Sequence, residues 1–270
     1  MSILDKIIAQ KQLEVAKLQE LVPLSQLKES PSFNRKTLSL KDFLLREDKS
    51  GVISEFKRQS PSKGIINASA DVEQVTQAYS AAGASGLSVL TDQTFFGGTS
   101  LDLQHARSVN ETPILRKDFI NSEYQIYEAK ALGADVILLI AAALTETELM
   151  SFTETAHQLG MEVLLEVHNE EELTKALRAA PDLIGVNNRN LKTFETTLEV
   201  SRQLISKIPE HILAVSESGI SSVEAIQELM KLGYKGFLIG ENFMKTDDPG
   251  KAAASFLGEI IKLKNANNEA

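Results

Sequence analysis

Cysteine is absent from the 270-residue chain, which removes disulfides, thiolate metal sites and cysteine nucleophiles from the chemistry open to it. A surplus of positive charge is missing too. Lys and Arg number 28 against 37 Asp and Glu, a formal charge of −9 at pH 7, and no basic run is long enough to follow a nucleic-acid backbone. Nucleic acid is therefore not an expected partner. The longest apolar run, Val136 to Leu144, is far short of the roughly 20 residues of a membrane span, and Asp5 and Lys6 break what would have to be the apolar core of a signal peptide. A cytoplasmic protein with no membrane partner is expected. Neither G-x-G-x-x-G after the first apolar run nor G-x-x-x-x-G-K-[ST] occurs, so no nucleotide loop is read. His105, His157, His168 and His211 have no metal-ligand spacing, and no metal is expected.

Hydrophobic residues at 43% and charged residues at 24% are ordinary for a folded chain with a sizeable core. From Val52 onward one pattern recurs: a short β-rich apolar run, a polar loop, then an amphipathic stretch often closed by Gly. The runs are Val52–Lys57, Gly86–Thr91, Pro113–Lys117, Asp135–Ala141, Glu162–Val167, Leu183–Asn188, Ile212–Glu217 and Gly236–Gly240. Helical spacing lies between them, as in Val72, Val75, Ala78, Tyr79 and Ala82 before Gly83. Thr145 with Glu148 and Ser221 with Glu224 match capping boxes. Continuous Val, Ile and Leu runs are what strands buried on both faces require, and alternating helices imply parallel crossovers. The fold class is α/β, and eight such units fit a (β/α)8 TIM barrel best, with an open doubly wound sheet as the alternative. Residues 1–50 fall outside the repeat and form an N-terminal helical extension closing one end of the barrel. Residues 51–265 form the barrel, and residues 266–270 a polar tail.

Reacting groups in such a barrel sit where strands end. Glu55 and Lys57 end the first run, Lys117 the third, Glu166 the fifth, Asn187 and Arg189 the sixth, and Glu217 the seventh. Period-two alternation puts Glu55 with Lys57, Leu115 with Lys117, and Leu164 with Glu166 on shared faces. If these faces point inward, the charges converge, either as inert ion pairs or as groups that transfer protons and bind anions. Ser218-Gly219 and Gly240-Glu241 follow the last two strands, the recurrent phosphate position of these barrels. A phosphorylated small-molecule substrate is expected. The loop Ser60-Pro61-Ser62-Lys63-Gly64 is flexible and could close over it, while Phe95, Phe96 and Phe119 lie just beyond strand ends, where aromatic rings line either a core or a binding pocket.

The stretches Ile53 to Ser62, Pro113 to Phe119, Leu165-Glu166-Val167-His168, Ile184 to Leu191, Ser216 to Ile220 and Phe237 to Glu241 resemble the indole-3-glycerol-phosphate synthase family of tryptophan biosynthesis. They occur in the family's order and span most of the chain. The resemblance implies a carboxy-lyase that closes the indole ring of 1-(2-carboxyphenylamino)-1-deoxyribulose 5-phosphate with loss of carbon dioxide and water, without cofactor. It implies Lys117 as general acid and Glu166 as proton acceptor or donor, with Glu55 and Lys57 beside them. Asn187, Arg189 and Glu217 would hold the substrate. Ser60, Ser218, Gly219, Gly240 and Glu241 would surround its phosphate, Glu241 through its backbone N–H with the carboxylate turned away. Phe96, Phe119, Leu138 and Leu191 would hold the ring. The extension covers the catalytic end in this family, and a monomer is expected.

The chemistry suits these residue types. The ribulose carbonyl oxygen gains charge during ring closure and needs an acid, and a Lys near other cations is expected to have its pKa lowered toward a useful range. A shielded Glu with a raised pKa would serve the later proton steps. Two sister phosphate barrels of the same pathway are weaker candidates: the isomerase uses a Cys that this chain lacks, and the lyase subunit of tryptophan synthase has no need of a Lys57 and Lys117 pair. A non-catalytic phosphate binder remains the reading from another class.

Overall fold

Each of the eight apolar runs contains a strand in the computed structural model, which describes residues 2–268. The strands are β1 (Val52–Phe56), β2 (Gly86–Leu90), β3 (Ile114–Lys117), β4 (Val136–Ile140), β5 (Glu162–Val167), β6 (Leu183–Asn187), β7 (Leu213–Glu217) and β8 (Gly236–Ile239). All pair in parallel, each with its sequence neighbours, and β8 closes onto β1 to complete a barrel. The chain opens with α1 (Ile3–Leu21), α2 (Leu24–Lys28) and α3 (Leu40–Leu45). Crossovers follow as α4 (Val72–Ala81), α5 (Gln93–Phe96), α6 (Ser100–Ser108), α7 (Glu123–Leu132), α8 (Glu146–Gln158), α9 (Glu170–Leu177), α10 (Glu199–Leu204), α11 (Val223–Leu232), α12 (Glu241–Met244) and α13 (Pro249–Asn268). The last helix enters the segment read as a polar tail, and residues 269 and 270 of that tail lie outside the described residues.

Alternation along each strand separates two apolar layers. On β4, Val136, Leu138 and Ile140 point into the barrel, whereas Ile137 and Leu139 pack outward against the helices. Both faces are buried, so the run reads as continuously hydrophobic. Helix starts follow the sequence in detail with one shift: Thr145 and Glu148 form the capping box of α8, but α11 is capped by Ser222, whose hydroxyl accepts from the Ala225 N–H, rather than by Ser221 with Glu224. Two adjacent serines satisfy the cap preference equally, and the helix start at Val223 selects the second. The loop after β1 is more ordered than its composition suggests, since Gln59–Ser60 and Gly64–Ile65 pair as a short antiparallel hairpin.

The N-terminal extension does not sit on one end alone. Ile3, Leu4 and Ile7 of α1 lie over the mouth formed by the strands' C-terminal ends, while Leu40 and Leu44 of α3 plug the opposite end among Ile53, Val136 and Val215. Two carboxylates bind the connecting segment to the barrel floor. Glu162 accepts from Ser39 Oγ at 2.5 Å and from the Leu40 N–H at 2.8 Å. Asp135 accepts from Arg35 at 2.5 Å, the Leu38 N–H at 2.8 Å, Arg107 at 2.9 Å and the Ile114 N–H at 2.9 Å. Asp135 is fully buried, so Asp135→Ala strands two guanidinium groups and two N–H groups. A loss of about 3–5 kcal/mol in unfolding free energy is expected, measured by urea denaturation.

Candidate active site

Strand register sets one tier of the site. Asn187 pairs with Glu217, and Glu166 with Gly185, so β5, β6 and β7 deliver these polar side chains from adjacent strands to the mouth. Glycine supplies the room. A methyl group at Gly185 would collide with Glu217 Oε1, and one at Gly240 would come within 2.5 Å of Glu55 Oε1.

At the centre stands Lys117. Its Nζ lies 3.0 Å from Glu166 Oε2 and 3.3 Å from Glu217 Oε2, while Lys57 Nζ lies 2.6 Å from Glu55 Oε1. Glu55, Glu166 and Glu217 are buried. Three carboxylates therefore meet two ammonium groups in a space poor in water, and the charges decide one another's protonation. Burial works against the Lys117 ammonium, but Glu166, Glu217 and Glu55 outweigh it and hold its pKa well above the ordinary lysine value. The expected lowering of Lys117 is thus reversed, because its neighbours in space are acids. Glu166 also departs from expectation. Burial acts to raise it, yet Lys117, His168 and Asn187 prevail and hold it well below the usual carboxylate range. The raised carboxyl is Glu217 instead. Burial lifts it, Lys117 opposes, and the charges on Glu166 and Glu55 add to the lift, pushing it up to about 7. Glu217 Oε1 is buried without a hydrogen-bond partner among the described residues, as suits the least compensated member of the set.

Above these groups opens a cavity of about 430 Å3, within the usual range for small-molecule sites. All the residues to which the family resemblance assigns a role line it. Glu55, Lys57, Lys117, Glu166, Asn187 and Glu217 form its floor. Phe96 and Phe119 form an apolar wall with Leu138 and Leu191, their ring centroids 5.7 Å apart. Ser60, Ser218, Gly219 and Gly240 also line the cavity. Ser218 and Gly219 adopt φ of 67° and 77°, a left-handed turn that is costly for Ser and exposes backbone to the cavity. Arg189 Nη1 donates to Ser62 Oγ at 3.1 Å, tying the loop after β6 to that after β1.

Glu241 departs from the reading in which its carboxylate turns away. The carboxylate lies 3.3 Å from Lys63 and 3.6 Å from Arg189, attracted by the cations of the two loops that flank it. Phe95 is not part of the wall; its N–H caps onto Asp92. Sequence reasoning missed Ile3, Leu4, Ile7 and Phe194, which also line the cavity, and two polar contributors. Lys11 of α1 reaches Asp92 at 2.9 Å and Asp118 at 3.0 Å, anchoring that helix beside Lys117. His168 lies 3.3 Å from Glu166 and 3.0 Å from Glu172. Burial opposes its charging, but the two carboxylates push its pKa up to about 10. Among the described residues there is no helix long and apolar enough to cross a membrane.

The raised Glu217 has a thermodynamic signature. The folded chain keeps this proton up to about 7, whereas the unfolded chain releases it near the ordinary 4.5, so the folded state binds more protons across that window. Ionising Glu217 therefore lowers stability as pH rises from about 4.5 to about 7. Urea unfolding at pH 5 and pH 8 is expected to show this component in the parent and its absence in Glu217→Gln.

With this geometry in view, comparison with known proteins gives a consistent result. Residues 4–256 match the family model described as indole-3-glycerol phosphate synthase. A protein of that name from Bacteroides thetaiotaomicron is 48% identical over 258 residues, covering 96% of this chain and 98% of its own. Another, from Carboxydothermus hydrogenoformans, is 45% identical over 256 residues, covering 92% and 97%. Among solved structures, thiamine phosphate pyrophosphorylase from Pyrococcus furiosus superposes with a TM-score of 0.59 at 17% identity, covering 81% of this chain and 98% of its own. A chain of the tryptophan synthase complex from the same organism gives 0.58 at 17% identity, covering 80% and 99%; both likenesses concern the barrel fold alone. The chain belongs to the indole-3-glycerol phosphate synthase family.

Proposed function

We propose that this chain closes the indole ring of 1-(2-carboxyphenylamino)-1-deoxyribulose 5-phosphate, releasing carbon dioxide and water and yielding indole-3-glycerol phosphate for tryptophan biosynthesis. The observation that carries the reading is the Lys117 ammonium held 3.0 Å from Glu166 and 3.3 Å from Glu217 on the floor of a cavity with an apolar wall and a Ser/Gly rim.

The reaction runs in three stages, all of them proton and carbon chemistry. The ring carbon bearing the carboxylate attacks the ribulose carbonyl, whose oxygen takes a proton from Lys117 as it gains charge. The raised pKa keeps Lys117 fully protonated before this step, and Glu217, beside it and able to hold a proton near neutrality, returns one. Carbon dioxide then leaves, and the electron pair of the broken bond restores aromaticity. Finally the new hydroxyl departs as water with a proton from Lys117, which Glu217 has recharged, while Glu166 accepts the proton lost from the carbon next to nitrogen. Its lowered pKa keeps it ionised for that task.

The remaining residues bind. Phe96, Phe119, Leu138 and Leu191 sandwich the ring, and Asn187 holds the sugar hydroxyls. Ser60, Ser218, Gly219, Gly240 and the Glu241 backbone cradle the phosphate, with Lys57 and Arg189 balancing the substrate's negative charge. The Glu241 carboxylate, now paired with Lys63 and Arg189, gives up those partners to the phosphate. Holding both ends of a flexible substrate so that the two carbons meet is worth about 7–11 kcal/mol of barrier. In this reading the enzyme acts as a monomer, in the cytoplasm and without metal or organic cofactor.

Product formation is followed by indole fluorescence. Lys117→Ala is expected to lower kcat by about 10²- to 10⁴-fold, and a near-parental kcat in that variant overturns its role. Glu166→Gln is expected to depress kcat far more than it changes KM, and an effect confined to KM makes Glu166 a binding residue. A parent chain that binds the substrate without turning it over is a phosphate-ligand binder instead.

A further inference from the structure

Glu166 has a separate partner for each of its oxygens. Lys117 Nζ sits 3.0 Å from Oε2, and His168 Nε2 sits 3.3 Å from Oε1. The offset of two residues sends both side chains to the same side of the strand end, so the imidazole meets a carboxylate of its own segment. Its orientation is imposed from the other direction by Glu172, in the first turn of α9. One oxygen of Glu172 accepts from the His168 backbone N–H at 2.8 Å and lies 3.0 Å from Nδ1. Asn169 Nδ2 donates to the other at 2.9 Å.

This arrangement has a protonation consequence. With Nδ1–H committed to Glu172, a neutral ring would turn a bare lone pair toward Glu166, two acceptors facing each other. The doubly protonated ring offers each carboxylate a donor. Nε2 is buried without a well-aligned partner among the described residues, so Glu166 Oε1 is its source of compensation. The charged groups around the pair are Lys117 at the far oxygen, then Glu217 and Glu55 beyond it, and Glu172 on the side of α9. Asn187 of β6 also lowers the Glu166 pKa.

We propose that His168, clamped by Glu172, is a positioning residue that fixes Glu166 Oε1 and keeps Glu166 ionised until it accepts the substrate's proton. The proposal rests on the reading of Glu166 as that acceptor. Removing the imidazolium takes away the donor that fixes Oε1 and leaves Lys117 as the one cation in contact with Glu166 among the described residues, so the carboxylate is less firmly aimed and its pKa moves back toward the ordinary value.

The test is the pH profile of kcat for the parent, His168→Ala, His168→Gln and Glu172→Gln. His168→Ala is expected to lower kcat about tenfold near neutrality with KM little changed, and to move the acid limb of the profile upward by about one unit. Gln can still donate to Oε1 but carries no charge, so it restores part of kcat and leaves the limb displaced. A histidine that merely packs would change neither limb, and an unmoved limb in both His168 variants overturns the proposal. Where far-ultraviolet circular dichroism shows that these variants do not fold, Glu172→Gln decides: a smaller upward shift supports the clamp and an unmoved limb overturns it. Glu166→Gln assayed in parallel separates the two failures. A near-parental kcat there removes Glu166 as acceptor, whereas a depressed kcat beside an unmoved His168 limb removes only the positioning role.

Discussion

A lysine ammonium bridging two carboxylates organises the mouth of this barrel. Taking three carboxylates out of water is unfavourable by many kilocalories unless cations are threaded among them, and Lys117 and Lys57 are so placed. The closed sheet makes this tolerable, since strands hydrogen-bonded on both sides cannot spread to relieve the crowding. The charges therefore settle their differences through protons. Glu166, with donors on several sides, stays ionised, and Glu217, with one oxygen unpartnered, takes the surplus proton. Two carboxyl groups in one cavity are thereby set to different tasks by surroundings alone.

Much of this was legible in the sequence, for a physical reason. Parallel strands covered on both faces must be apolar throughout, so each of the eight runs, from Val52 to Gly240, announces its strand, and the first polar residues after it announce the mouth. Lys117, Glu166 and Glu217 could be picked out in this way, and so could the Ser218-Gly219 turn. What the chain order hides is who neighbours whom. A lowered Lys117 was expected from neighbouring cations; in space its contacts are Glu166 and Glu217, which inverts the direction of its pKa. His168 drew notice in the sequence for lacking metal-ligand spacing, and the turn into α9 brings Glu172 back to hold it. At the start of α11 the capping-box pattern pointed to Ser221 with Glu224 and misled, because Ser222 caps the helix through its hydroxyl alone.

The N-terminal extension was likewise visible as an amphipathic segment without an address. Its two ends grip opposite faces of the barrel. Lys11 is drawn into the buried acids Asp92 and Asp118 next to Lys117, and the segment leading into α3 is drawn to the opposite end by Glu162 and Asp135. Asp118 in turn contacts Arg116, which pairs with Glu128 of α7. Residues adjacent to Lys117 in sequence thus bear the load of holding the covering helix, and the Lys117 side chain projects from a strand end that is braced on the outside as well as the inside.

The hollow left by Gly185 reaches beyond architecture. Replacing strand glycines with alanine is a routine way to stiffen a scaffold, because the larger residue has less freedom to lose. Here the added methyl would be driven into the Glu217 carboxylate. Any lineage or laboratory seeking a hardier version of this barrel must find its gains at other positions, and heat resistance and turnover can be tuned separately only so long as that hollow stays empty.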